Sequence, residues 1–336
     1  MCRFAIENWD FLQLEVLNRL EYSMKTLLIT LFGLGGITLI VEIGLRLFLG
    51  LGNPPLYIGD ETIGYLLAPN QAIRRRGNQI KINQYSMRSD EITAEKPQGS
   101  TRIMLLGDSI VNGGWWTDQK DILSEIIEAE LVKNSAIEKI EVFNASANSW
   151  NPRNEIAYLK RFGLFEADLL ILVINTDDLF GTAPTSVVVG KDINYRDRKP
   201  PLALVELYER YFFKQKPIPE LEAIKKEGGD RVGSNLEAIE SIKAIADNNN
   251  TQFILVITPL LRELEGVRDY EQKARNRLQE LVERQQITYI DFLPIFADFP
   301  QPEFLYRDRI HLSSQGETIV SKTLVEAIEK QVGSSK

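Results

Sequence analysis

The chain has 336 residues, a formal net charge of −8 and a pI near 5.1. An acidic balance of this kind argues against nucleic acid as the main partner. One cysteine, Cys2, rules out an intrachain disulfide or a thiolate metal cluster, and it fits cytoplasm and periplasm equally.

Residues 1–25 read as an acidic, amphipathic N-terminal extension, and Met24-Lys25 has the look of an alternative translation start. Residues 26–51 follow as a transmembrane anchor. The run from Thr26 to Val41 carries no charge, and the apolar stretch continues to Leu51 around Glu42 and Arg46. A spanning helix needs about 20 mostly apolar residues. Glu42 and Arg46 lie four apart, so one helix face can pair them. No small-x-small cleavage site follows the apolar run, which favours an uncleaved anchor over a signal peptide. Arg19 and Lys25 precede the span, and no basic residue stands between Arg46 and Arg74. The expected topology is therefore single-pass, with a cytoplasmic N-terminus and an extracytoplasmic, periplasmic main domain.

Residues 52–100 read as a connector packed on that domain. Asn53-Pro54-Pro55 is expected to stop the helix, and Ile80-Lys81-Ile82-Asn83 alternates like an edge strand. Arg74-Arg75-Arg76 reads as a solvated turn. Residues 101–332 form the main domain. Apolar runs at 102–106, 140–144, 168–174, 252–257 and 288–291 read as buried strands. Helical spacing covers 121–133, 152–163, 235–248, 268–285 and 314–330. This alternation predicts a three-layer α/β/α, flavodoxin-like fold with a five-stranded parallel sheet in the order 2-1-3-4-5. Residues 180–232 are an insertion, with a helix expected over Leu202–Phe213, that either shapes the substrate site or simply packs. Ser314 and Glu317 have the spacing of a capping box for the last helix.

His311 is the only histidine in the chain. Imidazole is the side chain best suited to exchange a proton near neutral pH, and Asp308, three residues upstream, can orient it. Far upstream, the strand-like Ile103-Met104-Leu105-Leu106 breaks into Gly107-Asp108-Ser109. Ser109, Asn148, Asp177 and Thr258 all fall just beyond expected strand ends, where ligands bind in such sheets.

The Gly-Asp-Ser block, the Asp-x-x-His block and the His-Leu-Ser-x-x-Gly run from His311 to Gly316 resemble those of the SGNH hydrolases, the GDSL lipase/esterase family, in membrane-anchored bacterial form. The resemblance covers about Arg102 to Glu329. It implies a serine esterase, with Ser109 as nucleophile, His311 as general base and Asp308 as its partner, and the anchor with its extracytoplasmic domain points to a lipid or O-acyl glycan ester of the cell envelope as substrate. No cofactor or metal is implied, and the partners expected are the ester substrate and the membrane. In the middle blocks, Ser149 stands where the family has an oxyanion-binding Gly. Asp177 stands where Asn175-Thr176-Asp177-Asp178 should supply a donating Asn. A carboxylate donates only when protonated, which needs a pKa raised by burial or by Asp108 and Asp178. Otherwise Asn175 or Asn148 is the donor. Were Asp177 a poor oxyanion donor, Asp177→Asn would raise activity or move its pH optimum upward. Asp108, Asp178, Trp115 and Trp116 are further pocket candidates, the two tryptophans being equally suited to packing the first helix. Three alternatives stay open: acyl transfer to an envelope polysaccharide, a divalent metal held by Asp108, Asp177, Asp178, Asp308 and His311, or an impaired binding protein with the same fold.

Overall fold

The computed structural model describes residues 2–134 and 139–333, and the side chains of 15–133 and 139–331. Helix α1 (Cys2–Gly44) is continuous with a π-helical turn over Leu45–Leu49, so the N-terminal extension and the apolar run form one rod. Its stretch Glu15–Leu49 is long and apolar enough to cross a membrane. The helix ends at Gly50 rather than at the expected Asn53-Pro54-Pro55. Gly50 takes a left-handed φ of 65°, and a Cβ there would lie 1.9 Å from the Arg74 carbonyl oxygen. Only glycine meets both demands.

Two antiparallel hairpins follow, β1 (Tyr57–Asp60) with β2 (Gly64–Leu67) and β3 (Gln71–Arg75) with β4 (Asn78–Ile82). Ile80 and Ile82 thus sit in a hairpin that faces the domain. Arg74-Arg75-Arg76 is not a solvated turn throughout. Arg74 and Arg76 are exposed, but Arg75 shares the inward face of β3 with Ile73 and is buried. Strand alternation turns every second residue inward, and a carboxylate partner, Glu206, meets Arg75 there at 2.7 Å.

The main sheet comprises β5 (Thr101–Gly107), β6 (Ile140–Ser146), β7 (Leu169–Asn175), β8 (Gln252–Thr258) and β9 (Thr288–Asp291). All are parallel, in the order β6-β5-β7-β8-β9, which is the predicted 2-1-3-4-5. The helices between and after them are α2 (Ser109–Asn112), α3 (Leu123–Asn134), α4 (Pro152–Phe162), α5 (Ala203–Tyr211), α6 (Pro219–Ile224), α7 (Arg231–Asn248), α8 (Asp269–Gln285), α9 (Phe292–Ala297) and α10 (Ser314–Gly333). The strands are apolar at nearly every position because helices cover both faces. Met104, Leu106, Leu170 and Leu172 face α4, α7 and α8, whereas Ile103, Leu105, Ile171 and Val173 face α3, α9 and α10. Tyr57, Leu66, Ile80 and Met87 of the connector join the first of these apolar clusters.

The expected capping box at Ser314 does not form. Ser313 occupies the cap: its Oγ accepts from the Gly316 N–H at 3.3 Å and donates to the Phe304 carbonyl at 2.6 Å. The helix starts there because Leu312 is held in a bridge to Tyr306, which fixes the preceding chain as extended.

Candidate active site

The site begins where β5 stops. Gly107 has no room for a side chain, since a Cβ would meet the Val173 carbonyl oxygen at 2.5 Å. Asp108 then caps the short helix α2, accepting from the Ile110 N–H at 2.8 Å, and Ser109 is the first residue of that helix. The turn from strand to helix therefore presents Ser109 at the carboxyl edge of the sheet.

On the other side, residues 305–313 form a tight loop. Arg307 donates its N–H to the His311 carbonyl at 2.8 Å, and Ser313 donates to that of Leu305 at 2.9 Å. Inside this loop Asp308 Oδ1 accepts the N–H groups of Ile310 and His311, both at 2.9 Å. Asp308 Oδ2 lies 2.8 Å from His311 Nδ1, and His311 Nε2 lies 3.0 Å from Ser109 Oγ. Partial burial pushes the Asp308 carboxyl up, but the two N–H donors and the imidazole outweigh it and hold Asp308 below its ordinary value. Trp116 packs edge-on against the His311 ring with centroids 4.6 Å apart, and the Arg307 guanidinium lies 5.3 Å over the same indole.

A cavity of about 260 Å³ opens beside Ser109 and His311. Ser149, Asn148, Trp115 and Trp116 line it, as does Asn112. Ser149 has a left-handed φ of 60°. That conformation costs a non-glycine residue about 1 kcal/mol, whereas glycine takes it freely. Tyr195 compensates by donating its hydroxyl to Ser149 Oγ at 2.9 Å, and Tyr65 donates to the Asn148 carbonyl at 2.6 Å. These two tyrosines brace the turn that lines the cavity.

The remaining candidates lie behind the cavity wall. Asn175 donates its amide to Asp108 Oδ2 at 2.8 Å, and its own N–H is taken by Asp178 Oδ2 at 2.7 Å. Burial holds both Asp108 and Asp178 above the ordinary carboxyl range. Asp177 does not line the cavity; its half-exposed carboxylate lies 3.3 Å from Arg262. Among the described residues, no three His, Cys, Asp or Glu side chains gather as a metal-ligand group.

A model of the GDSL-like lipase/acylhydrolase family matches residues 105–319, more than half of the chain. The chain belongs to that family, the SGNH hydrolases. It is an ester-hydrolysing hydrolase by membership. Solved structures similar to this SGNH chain include a lipase/acylhydrolase from Enterococcus faecalis, at 17% identity and a TM-score of 0.43, covering 69% of this chain and 96% of that one. An acetyl xylan esterase, AlAXEase, is 12% identical with a TM-score of 0.46, covering 68% and 99%. A lipolytic G-D-S-L family member from Veillonella parvula DSM 2008 is 13% identical with a TM-score of 0.43, covering 67% and 97%. No curated protein matches the chain in sequence.

Sequence reasoning missed much of the cavity's wall in this SGNH chain. Pro54, Pro55, Tyr57, Leu67 and Arg75 come from the connector, and Asn194, Tyr195 and Arg210 come from the insertion. It also missed Arg88, which is fully buried and donates to the carbonyls of Asn112 and Thr117, both at 2.6 Å. Arg88 thereby fixes the segment carrying Trp115 and Trp116. The signal was faint: an arginine between Met87 and Ser89 in an otherwise turn-rich run.

Two predictions arise from this geometry. Asp177→Asn should change ester turnover by no more than about fivefold, because an exposed ion pair is worth about 0–1 kcal/mol. A larger change in kcat would put Asp177 in the chemistry. The second concerns Glu317 on α10, whose carboxyl is pushed up to about 8, chiefly by burial and by Asp121, against the pull of Arg88 and Arg307. Between its unfolded value near 4.5 and about 8, the folded chain binds the proton and the unfolded chain does not. This contribution to stability is whole below that window and is lost as pH rises through it, at up to about 1.4 kcal/mol per unit. Denaturant titrations across that window should therefore show wild type weakening relative to Glu317→Gln as pH rises.

Proposed function

We propose that Ser109, His311 and Asp308 form the catalytic triad of a membrane-anchored carboxylic-ester hydrolase. The observation that carries this reading is the contact chain from Asp308 through His311 to Ser109, at 2.8 and 3.0 Å. His311 Nε2 takes the Ser109 proton as Oγ attacks the ester carbonyl carbon. The Ser109 and Ser149 N–H groups receive the oxyanion, with the Asn148 amide in place of the donor that Asp177 does not supply. The proton on His311 passes to the departing alcohol, leaving an acyl-Ser109 ester. Water, deprotonated by His311, then releases the acid. Asp308 keeps the ring in its tautomer, and Trp116 offers its π system beside the imidazolium as it forms.

The cavity favours a short acyl group, since Leu67, Ile80, Ile82 and Trp115 close around about 260 Å³. The ester belongs to an envelope lipid or O-acyl glycan. Helix α1 is an uncleaved single-pass anchor with its N-terminus cytoplasmic and the domain periplasmic. Support for an uncleaved helix comes from Glu42, which is buried against the domain. A fluorophosphonate probe tests the nucleophile. Labelling is expected in wild type and absent in Ser109→Ala, and labelling that survives the substitution would overturn the assignment.

A further inference from the structure

The end of α1 does not leave the domain through a loose tether. Glu42 Oε1 accepts the Ala203 N–H at 2.8 Å and Oε2 accepts the Leu204 N–H at 3.0 Å. A carboxylate of α1 therefore caps α5, where the first backbone N–H groups of a helix have no partners of their own. Arg46 pairs with Glu42 at 2.6 Å and donates to the Pro201 carbonyl at 3.3 Å. At the other end of α5, the Tyr211 hydroxyl accepts from Arg76, whose N–H is held by the Leu49 carbonyl at 3.1 Å. Both ends of α5 are thus fastened to the last turns of α1.

The outer side of this joint is apolar and uncovered. Phe48 is 78% exposed and Phe212 is 74% exposed, and Leu47, Tyr208, Tyr211 and Phe213 are exposed with them. A shallow depression of about 390 Å³ lies along Leu204, Val205, Tyr208, Glu209 and Phe213, and the Glu209 carboxylate in it is paired with Arg196. Exposed Arg198 and Lys199 line a second depression with Phe213, and exposed Lys214 and Lys216 follow it in the chain, on a protein that is acidic overall. A soluble surface rarely leaves so many large apolar side chains together. Aromatic rings edged by cations match the interfacial zone of a bilayer with anionic headgroups.

We infer that this aromatic edge of α5 lies in the interface of the bilayer that α1 crosses, seating the domain on anionic phospholipid. The inference rests on the reading of α1 as a membrane span. Continuity carries it: the exposed apolar side chains of α1 run on past Val41 through Ile43 to Leu47 and Phe48, and among them Glu42 is docked on the first turn of α5. Arg210, on the same helix, lines the cavity beside Ser109. One helix thus lines the cavity on its inward side and meets the headgroups on its outward side, and the substrate class this favours is an ester presented at the membrane surface.

The test uses the full chain with Cys2→Ser, reconstituted in vesicles of phosphatidylcholine and phosphatidylglycerol. A single environment-sensitive fluorophore is placed at Phe212→Cys, at Phe32→Cys within the span, or at Glu326→Cys on α10. Quenching by lipids spin-labelled near the headgroup should be at least about threefold stronger at position 212 than at 326. With the label at Tyr208→Cys, adding Phe212→Asp and Phe213→Asp should reduce that quenching by more than half while thermal unfolding is unchanged. If position 32 is quenched by deeply labelled lipid but 212 behaves like 326, the anchor stands and this inference fails. Covering of the patch by a protein partner would give that same failing result. If neither 32 nor 212 is quenched, the membrane span itself fails, and the inference with it.

Discussion

Ser109→Ala or His311→Ala should each lower ester turnover by about 10⁴ to 10⁶, with thermal unfolding unchanged. The two losses should be similar, and the double variant should be little worse than either, because in the proposed mechanism nucleophile and base act as a unit. Asp308→Asn should cost about 10⁴, since an amide in its place favours the wrong imidazole tautomer. Steady-state kinetics on a short-chain p-nitrophenyl ester checks all three. The residual rate would report what the cavity does without the proposed triad. Equal kcat in wild type and His311→Ala would sink the proposed mechanism, because the chain holds no second histidine to take the proton.

Glu206→Ala should destabilise the fold by about 3–5 kcal/mol, the typical cost of breaking a buried ion pair on one side. Glu206 is wholly buried, and its carboxylate serves three groups. Arg75 pairs with it at 2.7 Å, Arg210 at 2.8 Å, and the Gly52 N–H donates to it at 2.6 Å. Removing it leaves two guanidinium groups facing each other beside the cavity and an unanswered N–H at the exit of α1. Urea unfolding followed by near-ultraviolet circular dichroism checks the stability. Ester turnover should also fall, because Arg75 and Arg210 line the cavity. A stability change below about 1 kcal/mol would mean that water replaces the carboxylate at little cost.

The residues that contact one another at Ser109 and His311 were legible because each is announced by its own neighbours. A buried strand ending in Gly107-Asp108-Ser109 places the serine at a strand end, and the resemblance to the SGNH blocks singles it out. Asp308 and His311 sit three apart in a loop whose tightness follows from local backbone pairing. The parallel sheet was legible for the same reason, since its strands are apolar throughout and alternate with helices. The errors were equally local in origin. Gly50 rather than the more conspicuous prolines after it stops the helix, and Ser313 rather than Ser314 caps α10 because of a bridge between Tyr306 and Leu312.

By itself, then, the sequence determined the sheet order, the apolar helix at the front, and the residue types at the strand ends. These depend on periodicity and on contacts between near neighbours. Only the tertiary structure decided what surrounds the serine. Arg75, Tyr195 and Arg210 come from two segments more than a hundred residues apart, and neither segment carries a motif. Their arrival at one cavity depends on the buried charges of Glu42 and Glu206, which bind connector, insertion and the apolar helix α1 together. Such pairing is set by geometry across the fold, where a carboxylate accepts any donor that packing brings within reach, and no spacing along the chain records which donor that will be.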